Sequence, residues 1–196
     1  MAYELGCGKF LTVSTFRDRN YVHVRQYDLA LSGERYPTKR GVCMTPSRYA
    51  ALAHRLDAIQ KMYDQVEVDG EEAFVHIGGK LYAMAKPGFK GISLRHAFKR
   101  DGKLQASRFG GIFLADGEWF MLKLYVMQLK NEHPALKDAV PCDTTHDNEQ
   151  GLISCEECNP FGDNRDIQEV EYSAPLQFAI PTVKAVKNRA KTRIVA

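Results

Sequence analysis

The stretch CDTTHDNEQGLISCEEC holds Cys142, His146, Cys155 and Cys158, with three residues separating the first pair and two separating the second. Such spacings let one turn aim two ligands at a single ion, and three thiolates with one imidazole close a tetrahedral shell around Zn2+. The cluster therefore predicts a structural zinc site. His133 is an alternative fourth ligand, and a chance gathering of thiols in a loop is the competing reading. Four protein ligands leave no open position for a catalytic water. A zinc deaminase would need H-x-E ahead of P-C-x-x-C, whereas here Asp147 and Asn148 follow His146, and Ser154 precedes Cys155. Neither a glycine-rich nucleotide loop nor a nucleophile elbow occurs, and Asp143, Asp147 and Glu149 read as solvated charges. The expectation is a protein that is not an enzyme.

A second constellation lies in YVHVRQY, residues 21–27. Period-two alternation sends Val22 and Val24 to one face of a strand and Tyr21, His23, Arg25 and Tyr27 to the other. Aromatic rings stack on unpaired bases while Lys and Arg follow phosphates. Lys9, Arg17, Arg19, Lys39 and Arg40 lie in or beside the same predicted strands, and Lys80, Lys86, Lys90, Arg95 and Arg108 occupy comparable parts of a later segment. The alternative for Tyr21 and Tyr27 is ordinary cross-strand packing.

These residues are positioned by a duplicated element set. Val22, Val24 and Arg25 recur 70 positions later as Ile92, Leu94 and Arg95, and Gly41, Val42 and Met44 as Gly111, Ile112 and Leu114. One extra residue in the first hairpin lets Gly8-Lys9 meet Gly79-Lys80. Each copy reads as four antiparallel strands followed by a helix, an α+β architecture. The first-copy strands are predicted over Lys9 to Thr15, Tyr21 to Leu29, Glu34 to Thr38 and Gly41 to Met44. Those of the second are predicted over Lys80 to Ala85, Lys90 to Lys99, Lys103 to Phe109 and Gly111 to Ala115. Thr45 caps the first helix with Pro46 at its first position, and Tyr49, Leu52, Leu56, Ile59 and Tyr63 form its apolar stripe. Asp116 is the expected cap of the second helix, which ends before Pro134 and is so apolar that it must be covered on more than one side. Asp64 to Glu72 reads as a linker.

GKF…VSTFRDR.YVHVRQYD…GERYPTKRGVCMTPSRYAAL resembles the single-stranded-DNA-binding domain of the transcriptional coactivator positive cofactor four. The resemblance covers Leu5 to about Tyr63 well and Ile77 to about Lys130 more loosely. It implies a curved four-stranded sheet plus helix in each copy, and two copies in one chain imply an internal pseudo-dimer. Carried over, it implies nucleic-acid contacts at Lys9 and Lys80, at Phe16, Arg17 and Arg19, at Arg25 and Arg95, and at Lys39 and Arg40. Asp28 departs from the family's aromatic, a place Phe98 can fill in the second copy. Gly110 replaces a basic residue, and Lys86-Pro87-Gly88-Phe89 rewrites a turn. Unequal grooves follow, the first being the stronger.

The net charge of +3 conceals a segregation. Residues 1–130 carry 20 Lys/Arg against 13 Asp/Glu, residues 131–183 carry 2 against 11, and the tail from Lys184 carries 5 against none. A basic body suits a polyanion for which an acidic annex can compete. No basic flank precedes an apolar run at the N-terminus, and no membrane-length apolar stretch occurs. The expectation is an intracellular protein without a membrane partner, nuclear or else a viral or mobile-element protein acting at DNA. The domains expected are residues 1–65 and 74–133 for the two repeats, 134–183 for the zinc-stapled acidic extension and 184–196 for a basic tail. The segment around Tyr172, Leu176, Phe178 and Ile180 is apolar enough to pack on the body. The function these features point to is single-stranded DNA binding, in transcription regulation or as a replication or repair accessory, with transcription or replication proteins as further partners. Its rivals are a protein-interaction scaffold with a degenerate groove, a single-stranded RNA binder, and a zinc-dependent nuclease.

Overall fold

The computed structural model describes residues 1–162. The first unit is an antiparallel sheet in the order β1 (Ala2–Gly6), β2 (Lys9–Phe16), β3 (Arg19–Leu29) and β4 (Arg35–Met44), followed by α1 (Pro46–His54) and α2 (Leu56–Asp69). The second repeats that order with β5 (Ala73–Gly78), β6 (Leu81–Ala85), β7 (Gly91–Arg100) and β8 (Lys103–Ala115), followed by α3 (Asp116–Glu132). An annex contains α4 (Pro134–Lys137), a 3-10 turn (Cys142–Thr145) and α5 (Glu149–Ser154). No helix among the described residues is long and apolar enough to cross a membrane. The apolar segment around Phe178 and the basic tail lie outside the described residues.

Several boundaries differ from those expected. Each unit begins with an edge strand, β1 or β5, that the sequence reading omitted, and the two strands expected ahead of each helix are one strand interrupted by a bulge. In the first unit one β3 residue, Gln26, opposes three on β4, Thr38 to Arg40. In the second, His96 opposes four, Ser107 to Gly110. The first helix breaks at Arg55, and α2 continues to Asp69, where Gly70 (φ 70°) closes it in the left-handed conformation. The expected linker is therefore mostly helix.

Thr45 does cap α1, accepting from Arg48 N. Asp116 does not cap α3. Ala115 stands at the cap position, and its N–H donates to Glu118 Oε2 at 2.8 Å. Asp116, the first helical residue, accepts instead from Tyr63 Oη at 2.6 Å.

The strand alternation produces the core. Leu11, Val22, Val24, Val42 and Met44 from the first sheet, and Leu81, Ala83, Ile92, Leu94 and Leu114 from the second, turn toward the helices and are buried. Each large side chain contributes roughly 1.5–3 kcal/mol on burial. Both units feed one hydrophobic cluster, because each packs its helices on the other's sheet as well as its own: α2 lies against β5 and β6, and α3 against β1. Polar ties cross the same seam. Trp119 Nε1 and Lys123 Nζ donate to Gln60 Oε1 at 2.9 and 2.7 Å, and Tyr49 Oη donates to Val126 O. The α3 stripe Trp119, Leu122, Val126 and Leu129 is buried, but Phe120, Leu124 and Met127 on the outer face are half-exposed. Among the described residues, that helix is not covered all round.

Candidate nucleic-acid interface and metal centre

The helix-free face of the first sheet is built on Phe10, which lies opposite Arg25 in the β2–β3 ladder. Tyr27 meets the Phe10 ring edge-on, with centroids 5.4 Å apart, and the Arg35 guanidinium lies 4.5 Å over the same ring. Arg25 Nη1 donates to Thr38 O at 2.8 Å, at the start of the β4 bulge, and Thr38 Oγ1 in turn accepts from Arg40 N and donates to Gln26 O. Gly41 stands directly opposite Arg25; a Cβ there would lie 2.7 Å from Val24 O and 2.9 Å from Arg25 Cα. Glycine is what lets the two strands approach closely enough for Arg25 to reach across. The bulge leaves Lys39 and Arg40 exposed.

Farther along the same face, Tyr21 pairs with Ser14 and His23 with Thr12, and Ser14 Oγ lies 2.8 Å from His23 Nε2. Burial, with Arg25 nearby, lowers the His23 pKa below its ordinary value. The β2–β3 hairpin ends in Phe16, 61% exposed, with the Arg17 guanidinium 5.2 Å from its ring centroid and Arg19 exposed beside it. Arg17 and Asp18 both take positive φ in this tight turn.

Lys9 is not part of this face. It alternates with Leu11, points to the helix side, and pairs its Nζ with Glu118 Oε2 of α3 at 2.6 Å. The period-two pattern Lys9, Leu11, Val13 was the signal that could have placed it there. Lys80 is not its equivalent either. Gly6 pairs with Lys9 as Gly78 pairs with Leu81, so Leu81 holds Lys9's register position and Lys80 sits in the hairpin turn, exposed.

The second sheet repeats the arginine arrangement and loses much of the rest. Arg95 Nη1 donates to Ser107 O at 3.2 Å opposite Gly111, and Ser107 Oγ accepts from Phe109 N as Thr38 accepts from Arg40 N. Arg108 and Phe109 therefore stand where Lys39 and Arg40 do, with Gly110 as the added bulge residue. Tyr82 replaces Phe10 opposite the arginine, and Ala97 replaces Tyr27. The turn carrying Lys86, Phe89 and Lys90 is tied down: Lys86 Nζ lies 3.1 Å from Glu72 Oε2, and Gly88 N donates to Glu67 Oε1 at 3.1 Å. Phe89 and Lys90 are exposed, and Phe98 is partly so. Arg35 and Phe10 were missed in sequence because Arg35 follows a long hairpin tip and Phe10 looks like an ordinary core residue.

In the annex, the ligand atoms of Cys142, His146, Cys155 and Cys158 all lie within 4.8 Å of one another. Cys142 Sγ is 3.7 Å from both His146 Nε2 and Cys155 Sγ, and His146 Nε2 is 3.3 Å from Cys158 Sγ. A tetrahedral shell with arms of about 2.3 Å has edges of about 3.8 Å, so the four residues are close enough to hold a metal ion. His133 belongs to the α3 terminus and is outside the cluster. Burial, then the neighbouring thiols, push the Cys158 thiol well up. The annex is anchored at the junction of the units. Arg48 forks onto Glu157 at 2.5 and 2.6 Å, Gly79 N donates to Glu157 O at 2.6 Å, and Arg55 pairs with Asp143.

A comparison with curated proteins finds no match. Residues 3–54, which span most of β1 and all of β2, β3, β4 and α1, match the family model described as Transcriptional Coactivator p15 (PC4), and the first unit is similar to that family.

Proposed function

We propose that the protein is a non-enzymatic single-stranded DNA-binding protein, acting in transcription regulation or as a replication or repair accessory, in the nucleus. Two coactivator-like units, 1–65 and 74–133, form an internal pseudo-dimer, and zinc staples the annex that begins at residue 134. The observation that carries this reading is the open face of the first unit, where Arg25 is held across Gly41 beside the exposed pair Lys39 and Arg40, and Phe16 projects with Arg17 and Arg19. Unpaired bases offer ring faces to such aromatics while the cations follow the phosphates; a duplex hides those faces. The match of this unit to the coactivator family supports the same reading.

The zinc ligands are Cys142, His146, Cys155 and Cys158, whose soft thiolates and closed shell suit a structural ion that holds the annex chain in place. The second unit takes part through Arg95, Arg108 and the exposed Phe109, more weakly because its Lys86 turn is tied to Glu72 and Glu67.

Titration with single-stranded DNA, duplex DNA and RNA at several salt concentrations tests the function. Preference for the single strand and a log-log salt slope near −0.7 per neutralised phosphate are expected. Arg25→Ala combined with Phe16→Ala should weaken binding across all sequences; equal or tighter binding by that pair would overturn the assignment. A scaffold role is the second reading, favoured by the half-exposed row Phe120, Leu124 and Met127 on α3. Weak, salt-insensitive oligonucleotide binding would select it.

A further inference from the structure

The cations of the two units differ in whether they are already engaged. Lys9 is paired with Glu118, Arg48 with Glu157, Arg55 with Asp143 and Lys86 with Glu72. Arg25 is held by a carbonyl. The Arg35 side chain makes neither an ion pair nor a hydrogen bond among the described residues, yet its guanidinium is held 4.5 Å over the Phe10 ring. Phe10 itself is 5% exposed, one side of the ring taken by Arg35 and its surroundings completed by the edge-on Tyr27. The ring is thus unavailable as a stacking platform. The group that covers it on the outside is the exposed Arg35 guanidinium.

We propose that Arg35 forms a one-base stacking subsite of the first unit, separate from Phe16: an unpaired nucleobase lies on the outer face of its guanidinium, which Phe10 supports from beneath. This rests on the single-stranded nucleic-acid reading above and names the residue that would take a base there. A guanidinium is flat, delocalised and weakly hydrated, so it stacks on rings where an ammonium cannot. Support from Phe10 holds the plane ready, which lowers the ordering cost on binding. The N–H groups on its rim remain free for a phosphate, since no acidic partner claims them.

The second unit supplies the internal contrast. The register places Leu104 where Arg35 stands, because Leu29 faces Arg35 and Lys99 faces Leu104, and it places Ala97 where Tyr27 stands. Tyr82 keeps the ring, but its neighbours are the His76 imidazole at 4.8 Å and the edge-on Phe74 at 6.4 Å, and among the described residues no guanidinium lies over it. The subsite belongs to one half of the molecule, which gives a bound strand a fixed register on an otherwise repeated surface.

The test uses the full chain and an oligothymidine strand in which one abasic residue is moved position by position. For the unsubstituted protein, one position should cost about five- to 150-fold in affinity, the range of one stacked base. Arg35→Lys keeps the charge and removes the plane; it should bind the intact strand weaker by a similar factor, lose no more at that abasic position, and retain the salt slope. Leu104→Ala should change neither. Arg35→Lys with an unchanged abasic profile, or Arg35→Ala with unchanged affinity in a protein that still binds, overturns the subsite while leaving the general function standing. Failure of the unsubstituted protein to bind any single strand overturns both.

Discussion

Lys9 on β2 and Glu118 at the start of α3 pair across the two units at 2.6 Å, with side-chain exposures of 16% and 8%. The same carboxylate accepts the Ala115 N–H, so one side chain both caps a helix and ties it to the other unit's sheet.

Glu118→Ala should therefore lower stability by about 2–3 kcal/mol, from the lost cap and from a mostly buried ammonium left unpaired. Adding Lys9→Ala should cost less than the sum of the two single changes, because the partners act as one unit. Chemical denaturation measures both. Lys9→Ala should leave the salt slope of DNA binding unchanged, whereas Arg40→Ala should reduce it by about 0.7. A reduced slope in the lysine variant would return Lys9 to the interface.

Gly41→Ala places a methyl group 2.7 Å from Val24 O and 2.9 Å from Arg25 Cα. The strands must separate to admit it, at a cost of about 1–3 kcal/mol. The larger effect should be on binding, since Arg25 would lose its reach to Thr38 O. Wild-type affinity in a measurably destabilised Gly41→Ala protein would show that this reach has no part in DNA binding.

Purified protein should contain one zinc ion per chain by mass spectrometry. Cys155→Ser with Cys158→Ser should abolish it, and chelation should lower the unfolding midpoint because Asp143 and Glu157, each next to a ligand, anchor the annex to Arg55 and Arg48. Full retention of the ion in the double variant would dismiss the site.

His23, His76 and His96 all have pKa values lowered below 6.5, each chiefly by burial. The unfolded chain then binds more protons than the folded one as pH falls through 6.5 toward the lowered values. Stability is fully present above 6.5 and declines below it. His76→Gln should flatten that decline in thermal melts taken between pH 7 and 5; an undiminished slope would exclude His76 as a contributor.

The helix at Pro46 was legible because cap, proline and apolar stripe agree, the helix at Asp116 from its apolar residues although its expected cap was not the one used, and the strand facing of Val22 and Val24 followed from alternation alone. The gathering of Cys142, His146, Cys155 and Cys158 was legible from spacing, since four side chains within a short chain segment need little tertiary help to meet. The edge strands β1 and β5 were not, because Ala2–Gly6 and Ala73–Gly78 are short and gain their stability from α3 and α2 of the opposite unit. The bulges were hidden for a different reason. Lys39 and Arg40 break the alternation, which in sequence looks like a turn between two strands and in space is a kink within one. Lys9 faces the helices as the alternation Lys9, Leu11, Val13 implies, whereas the family resemblance implies the open face.

Arg48 and Glu118 are each the third residue of their helix, so they hold corresponding places with opposite sign. If two copies of the first half met as its two different halves now do, Lys9 would confront Arg48, cation against cation. Two copies of the second would set Glu118 beside Leu81, leaving a carboxylate with no counter-charge. On that charge pattern, fragments severed between the two units should associate with each other in preference to their own kind, which mixing experiments would check.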